Sequence, residues 1–139
     1  MAMDTLFSAL SISASGLTAQ RKKTEIIAEN IANAYTTRSL EGGPYKRREV
    51  VFSEALNSET VIDGGVAISG IYVDPSEPRM VFEPGHPDAN KDGYVAYPNV
   101  SAVKEMTSMM QAQRAYEANV AAINAAKDMI TKSFEIISR

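Results

Sequence analysis

The stretch that decides the fold is the last third of the chain, residues 98–139, which reads PNVSAVKEMTSMMQAQRAYEANVAAINAAKDMITKSFEIISR. One line of side chains recurs through it in steps of three and four, apolar except at Gln113 and Lys127: Met106, Met109, Gln113, Tyr116, Val120, Ile123, Lys127, Ile130, Phe134 and Ile137. Such a repeat keeps one stripe of a helix facing a partner helix. Because no Gly or Pro follows Pro98, the sequence predicts one helix, roughly 60 Å long at about 1.5 Å per residue.

The first third of the chain offers a partner for that helix. A weaker line with the same steps runs through Met3, Leu6, Leu10, Ser13, Leu17, Gln20, Thr24, Ile27 and Ile31. We therefore expect a mostly α protein whose two long terminal helices pair as an antiparallel coiled coil, with the apolar members of both lines in contact. The alternative is a pair of ordinary amphipathic helices packed on a sheet. Sustained heptads over more than about 25 residues favour the coiled coil.

Both helices also carry small or apolar residues away from these lines. In the C-terminal helix they are Ala115, Ala118, Ala122, Ala125 and Ala126, and in the N-terminal helix Ile12, Ala19 and Ile26. A helix that is apolar on more than one face is buried on more than one face. The sequence therefore predicts contacts with other chains, in which Ala115 and Ala122 allow a neighbouring subunit to approach closely. Alanine is also simply a good helix former, but that does not explain the isoleucines.

The segment between the helices has a different composition. Every Pro and every Gly except Gly16 lies in residues 35–98. Turns are predicted at 41–44 and 63–65, and strands at 45–52, 65–73, 79–83 and 93–97. We expect three parts: an N-terminal helix at 1–34, a β-hairpin and loop-rich insertion at 35–98, and a C-terminal helix at 99–139, the two helices forming one core domain.

Composition excludes several classes of function. The 139 residues include 14 basic and 17 acidic side chains, so no overall charge attracts nucleic acid. The absence of Cys excludes disulfides, thiolate zinc sites and cysteine nucleophiles. The N-terminus lacks the basic and apolar segments of a secretory signal, and no window approaches the about 18 apolar residues of a membrane span. We therefore expect that the protein does not use the ordinary cleaved-signal route, whatever its compartment, and that it does not insert directly into a membrane.

Three segments contain residue types that occur in chemical sites. His86 is the single histidine and has no accompanying nucleophile motif. Residues 88–93, DANKDG, match the first half of a calcium loop, but the twelfth position is Asn99 rather than a bidentate Glu. The basic run at 46–48 is more typical of a solvated strand face or an ionic contact to an acidic neighbour than of a nucleic-acid site. We therefore predict no catalytic, cofactor-binding or metal-binding residue and no small-molecule substrate.

Two motifs stand out, one near each end of the chain. The first is ASGLTAQ at 14–20 with AENIAN at 28–33, and the second is AQRAYEAN at 112–119. Both resemble the terminal motifs of the bacterial flagellar axial proteins, the family of rod, hook and related subunits. The resemblance marks Ser15, Gly16, Leu17, Asn30, Asn33, Arg114, Tyr116 and Asn119. Glu29 departs from the Asn of many members. EGGPY at 41–45, PGHPDA at 84–89 and the short length narrow the resemblance to proximal-rod proteins.

That resemblance implies a structural role and no enzymatic activity. Such proteins are exported unfolded through the flagellar type III apparatus and assemble in the periplasm, with copies of themselves and other rod proteins, into a helical tube. The tube transmits torque from motor to hook, and the terminal helices form its inner core. Two other functions stay open from the residues alone: a calcium or ligand module built on residues 88–93, and a small helical regulator that dimerises through its C-terminal helix.

Overall fold

The computed structural model describes residues 2–55 and 64–137, with side chains described from 5 to 136 within those ranges. Over these residues the chain is mostly α-helical, with two small sheets between the helices, as the sequence predicts. The elements in chain order are α1 (Ala2–Ala32), β1 (Arg48–Glu54), β2 (Val66–Val73), β3 (Arg79–Phe82), β4 (Tyr94–Tyr97) and α2 (Ala102–Ile137). The part of the predicted turn at 63 and the C-terminal residues 138–139 lie outside the described residues.

The helix ends differ from the predicted ones by a few residues. Helix α1 extends from Ala2 to Ala32 within the predicted range 1–34, and α2 extends from Ala102 to Ile137 within the predicted range 99–139. One carbonyl of the last turn of α1, that of Glu29, accepts hydrogen bonds from both the backbone N–H and the side-chain amide of Asn33, at 3.0 and 2.9 Å. Asn and similar side chains end helices because they satisfy backbone groups that the helix leaves unpaired.

The four strands form two separate pairs. Strand β1 pairs with β2, and β3 pairs antiparallel with β4 in a register that places Arg79 opposite Tyr97 and Phe82 opposite Tyr94. The β3–β4 connection turns at Gly93, whose φ of 81° lies in the left-handed region. A Cβ at Gly93 would also come within 2.9 Å of the Phe82 ring, so only glycine fits both the backbone and the space.

The described chain divides into two compact units. One contains Met1–Lys22, Val51–Gly70 and Gln111–Arg139, and the other contains Lys23–Val50 and Ile71–Met110. Among the side chains that the structure describes, the large buried apolar ones belong to the second unit: Ile26, Ile27, Tyr45, Val50 and Val95. In the first unit the buried apolar residues are alanines, at 19, 112 and 126.

The long helices are amphipathic rather than uniformly apolar. Within the part of the chain whose placement is described, neither helix combines the length and the hydropathy needed to cross a membrane.

Candidate assembly interface

Asn30, near the end of α1, is completely buried and uses all of its hydrogen-bonding capacity. Its amide nitrogen donates to the Arg48 carbonyl at 2.8 Å and to Oε2 of Glu105 at 3.1 Å. Its amide oxygen accepts from the Tyr45 hydroxyl and the Arg48 backbone N–H, each at 2.9 Å. Since an amide has two donors and two acceptor sites, none is left unsatisfied. Asn30 thereby joins α1, α2 and the start of β1.

Glu105, in the first turn of α2, is only 1% exposed. Its Oε1 accepts a hydrogen bond from Nε of Arg47 at 2.7 Å, and Arg47 also contacts Glu49 at 3.1 Å. A buried carboxylate without a partner costs several kcal/mol, and Arg47 supplies the compensating charge. Burial acts to lower the pKa of Arg47, but the hydrogen bonds and charges of Glu105 and Glu49 outweigh it and raise that pKa above its ordinary value. We call Asn30, Tyr45, Arg47 and Glu105 the Asn30 cluster.

Tyr45, a member of the cluster, and Arg48 beside it also have matching partners. Burial, the largest effect, raises the pKa of the Tyr45 hydroxyl, so it remains a hydrogen-bond donor at neutral pH. Arg48 lies over the Tyr45 ring at 5.8 Å and pairs with Glu41 at 3.1 Å. Of the alternatives predicted for the basic run, ionic contact with acidic neighbours is the one that Arg47 and Arg48 make.

Gly16 and Asn119 form a second contact between the helices, within the other compact unit. A Cβ built on Gly16 would lie 2.8 Å from Nδ2 of Asn119, closer than real Cβ atoms approach a neighbour. The absence of a side chain at Gly16 therefore lets Asn119 lie directly against the α1 backbone. We call this pair the Gly16 contact. Two residues singled out by the terminal motifs, from opposite ends of the chain, meet here.

Ser15 connects the same turn of α1 to the β segment. Its hydroxyl donates to the Ile12 carbonyl at 2.7 Å and accepts from the Val66 backbone N–H at 3.0 Å, at the start of β2. Gly65, with φ of 127°, passes so close that a Cβ there would be 3.0 Å from the Ser15 hydroxyl. Of the motif residues, Ser15 therefore attaches the start of β2 to α1, and Asn33 satisfies a backbone carbonyl where α1 ends.

The predicted apolar line of α1 is covered to different degrees. Ile27 is buried, and Leu6, Leu10, Leu17 and Ile31 are half-buried. The line is therefore turned largely, but not completely, away from solvent.

The predicted line of α2 divides into two groups. Val120, Ile123 and Ile130 are half-buried, whereas Tyr116 and Phe134 are 41% and 54% exposed. The exposure of the two aromatic side chains does not fit a place in a seam buried within the chain.

The face of α2 that the chain itself covers is rotated from the predicted line. It follows the heptad positions of Glu105, Ala112, Asn119 and Ala126, all buried except the half-buried Asn119. Glu105 is hydrogen-bonded, and Ala112 and Ala126 are small residues of the kind that lets two helices come close together. A count of large apolar residues misses such a face, because the side chains that fill it are not the most hydrophobic ones.

A second apolar surface of α2 is left uncovered. Val103, Met106 and Met110, which we call the outer stripe, are 75%, 54% and 56% exposed. At 3.6 residues per turn they share one face, on the far side of the helix from Glu105 and Ala112. Val103 also lines a groove of about 400 Å³, together with the 73%-exposed Tyr35.

The segment resembling half a calcium loop is the β3–β4 turn. Asn90 Oδ1 accepts from the backbone N–H groups of Asp92 and Tyr94, at 3.0 and 2.9 Å. The Asp88 carboxylate accepts from the Thr37 hydroxyl at 2.8 Å and pairs with Arg38. Within the described ranges, His, Asp and Glu side chains form no group of three or more that could hold a metal ion.

His86 is part of the same loop. It is half-buried, its Nδ1 accepts the Asp88 backbone N–H at 3.1 Å, and its ring packs edge-on against Tyr97 with 6.3 Å between ring centroids. These contacts fit the packing role expected of a histidine in a proline-bounded loop.

Sequence reasoning missed three members of the Asn30 cluster. The sequence places Tyr45 at the start of a predicted strand and Arg47 in the basic run at 46–48, and it assigns no role to Glu105. The available signal was the acidic side chain in the first turn of α2, next to an apolar line, which favours a partnered rather than a solvated carboxylate.

Comparisons with known proteins agree with the motifs at both ends. The family model described as "Flagella basal body rod protein" matches residues 3–38, and "Flagellar basal body rod FlgEFG protein C-terminal" matches residues 91–136. The two ends are thus those of a flagellar basal-body rod protein.

Individual relatives extend the match to nearly the whole chain. The flagellar basal-body rod protein FlgC of Bacillus subtilis is 43% identical, over 95% of this chain and 98% of the relative. FlgC of Borreliella burgdorferi is 38% identical over 95% and 97%, and FlgC of Salmonella typhimurium is 36% identical over 94% and 97%. The chain therefore belongs to the FlgC family of flagellar basal-body rod proteins. It is a structural subunit of the rod and not an enzyme.

Proposed function

We propose that this rod subunit assembles with copies of itself and with other rod proteins into a helical tube that transmits torque from motor to hook. One observation carries the proposal: α2 has a covered face and an uncovered apolar face on opposite sides. Surface methionines and valines occur singly on many proteins, but Val103, Met106 and Met110 form one continuous stripe. A stripe of this kind marks an interaction surface.

We further propose that α1 and α2 pair as an antiparallel coiled coil. Two contacts, each inside one compact unit, support this pairing: Gly16 against Asn119, and Asn30 hydrogen-bonded to Glu105. From Gly16 to Asn30 is 14 residues along α1, and from Glu105 to Asn119 is 14 residues along α2. Equal steps of two heptads in opposite chain directions are what an antiparallel coiled coil requires.

The predicted interaction residues take two roles in this proposal. The half-buried and buried members of the two lines hold the helix pair together: Leu6, Leu10, Leu17, Ile27, Ile31, Val120, Ile123 and Ile130. The exposed Tyr116 and Phe134 contact neighbouring subunits, together with the outer stripe. Ala115 and Ala122 permit close approach of a neighbour. Torque loads such lateral contacts, and many dispersion contacts acting together resist it better than screened surface ion pairs.

The proposed division of the chain remains 1–34 and 99–139 for the helical core and 35–98 for the β and loop insertion. Export through the flagellar type III apparatus, without a cleaved signal peptide, and residence in the periplasmic rod complete the proposal. The unit that contains the Gly16 contact buries mainly alanine. This supports the proposed assembly, because a helix whose covered face holds mainly alanine depends more on partners for stability.

Charge placed in the outer stripe tests the assembly surface. Met110→Glu should abolish swarming in soft agar and remove rods from isolated basal bodies, because a carboxylate buried between subunits has no partner. Lys104→Glu is the matched control: it also adds Glu near the start of α2, outside the stripe, and should assemble. Secretion of both variants should equal that of the native chain.

Ala122→Leu tests the close approach separately. Ala122 is exposed within the chain, so leucine should leave the unfolding midpoint nearly unchanged and yet block assembly. If the Met110→Glu variant and the Ala122→Leu variant were both normally motile, the proposed interface would be contradicted.

A further inference from the structure

Beyond the assembly role, the Asn30 cluster has a property that stability alone does not explain. It places a charged carboxylate and a fully buried amide at the contact between α1 and α2, where apolar side chains would pack. We propose that the Asn30–Glu105 pair, with Arg47, fixes the register of α1 against α2. The proposal rests on the helix pairing proposed above and adds a specificity role to it.

Packing of the small residues does not by itself select one register. Gly16 lies against Asn119, and seven residues on either side along α2 stand Ala112 and Ala126, both buried and both small. A slip of one heptad, about 10.5 Å at 1.5 Å per residue, would bring Gly16 opposite one of these alanines. Either alanine would accommodate the α1 backbone at least as easily as Asn119 does.

One slipped register also offers a competing ion pair. Moving Gly16 opposite Ala112 would bring Lys23, one heptad before Asn30, opposite Glu105. Lys23 already lines the same small cavity, of about 60 Å³, as Glu105 and Arg47. In the observed register both carboxylate oxygens of Glu105 are taken, one by the Asn30 amide and one by Arg47. The slipped register would keep a cation for Glu105 but would break the Asn30–Glu105 hydrogen bond, which leaves one N–H of the buried Asn30 amide without its acceptor.

The cluster selects because its groups are directional. Asn30 needs acceptors at its nitrogen and donors at its oxygen, and the four partners observed come from β1, Tyr45 and α2 together. A buried polar residue in a coiled coil specifies register in this way, since every other register leaves it unsatisfied.

Engineered disulfides can read the register directly, because the chain has no native cysteine. Gly16→Cys with Asn119→Cys reports the observed register. Gly16→Cys with Ala112→Cys, or with Ala126→Cys, reports a slip of one heptad. Each pair is oxidised in the full-length chain, both purified and in isolated basal bodies, and cross-linked peptides are quantified by mass spectrometry.

The native background should give the 16–119 disulfide and little of the other two. Asn30→Leu with Glu105→Leu should raise the slipped disulfides relative to the 16–119 disulfide by at least about tenfold, which corresponds to about 1.4 kcal/mol. Val95→Ala is the control: it removes buried apolar volume from the same unit, at a residue of β4 outside the two helices. It should lower stability and leave the disulfide pattern unchanged.

Two results would overturn the proposal, and they are distinguishable. If the double variant forms only the 16–119 disulfide, the helices pair but the cluster does not set their register. If the native background forms none of the three, the helix pairing itself is wrong. Should the double variant lack helical circular dichroism, Glu105→Gln replaces it. That change keeps the shape but points an amide donor at Asn30 or Arg47, so it should shift the pattern in the same direction, and an unchanged pattern would equally refute the proposal.

Discussion

The same two helices meet in two chemically opposite ways. In one compact unit, Gly16 has no side chain and Asn119 lies against bare backbone. In the other, Asn30 and Glu105 are buried and every polar atom between them is matched by a partner. The Gly16 contact allows closeness without choosing a position, whereas the Asn30 cluster requires one position. In a long helix pair, one contact can therefore permit close approach of the helices while another contact determines their register.

The cores of the two units differ in the same sense. Ile26, Ile27, Val50 and Val95 are buried in the unit that contains the Asn30 cluster. The unit that contains the Gly16 contact buries mainly alanine. Burial stabilises by roughly 25 cal/mol per Å² of apolar surface. The unit that contains the Asn30 cluster should therefore contribute most of the stability of the free chain. The other unit is the one that should gain most from neighbouring subunits.

The largest effect should come from breaking the Asn30 cluster. Glu105→Ala leaves Arg47 without its buried partner and the Asn30 amide without an acceptor, and we expect it to reduce the free energy of unfolding by about 3 kcal/mol. Urea denaturation of the full-length chain measures this. Glu117→Ala, at an exposed position of the same helix, should change it by less than about 0.5 kcal/mol. Similar losses for the two variants would show that the cluster is not a centre of stability.

A smaller effect, with a change of sign, should appear at the Gly16 contact. Gly16→Ala forces Asn119 to move, and we expect it to destabilise α1 by about 1 kcal/mol. In an Asn119→Ala background the space is free, so the same substitution should stabilise by about 1 kcal/mol through helix propensity. Helical circular dichroism during urea titration of the four chains gives the coupling. Additive effects would mean that the two residues do not meet.

The smallest effect should be a pH dependence in the β3–β4 loop. The Thr37 hydroxyl, and after it Arg38, hold the pKa of Asp88 below its ordinary value of 3.8. A carboxyl with a lowered pKa stabilises the fold above the unfolded pKa, and this contribution is lost as pH falls through the folded pKa. Asp88→Asn should therefore lower the unfolding temperature slightly at pH 7 and make it less sensitive to pH below 3.8. A variant as acid-sensitive as the native chain would exclude this role for Asp88.

The sequence predicts the elements of this fold better than the faces they use. Heptad spacing and the absence of Gly and Pro after Pro98 suffice for α2, and the predicted strands at 79–83 and 93–97 lie close to the observed β3 and β4. The pairing of β3 with β4 was not predicted. The covered face of α2 was not predictable from apolar spacing, because Ala112 and Ala126 pack through their small size. Apolar spacing also cannot predict that Glu105 is buried on that face, because its burial depends on a partner elsewhere in the chain.

The candidate site shows the same limit. The terminal motifs single out Gly16, Asn30 and Asn119, each of which contacts a residue of the other helix. The partners of Asn30 could not be assigned, because Tyr45 and Glu105 are separated from it by 15 and 75 residues. Hydrogen bonds over such separations have no periodic signature, so only the folded chain shows them.

The most direct test of the account concerns the outer stripe. Met110→Cys provides a thiol on the exposed apolar face, and Ala112→Cys provides one on the covered face two residues away. A maleimide reagent should label position 110 in the purified chain but not in isolated basal bodies, and it should label position 112 in neither. Equal labelling of position 110 in the free chain and in the assembled rod would contradict the claim that neighbouring subunits cover this face.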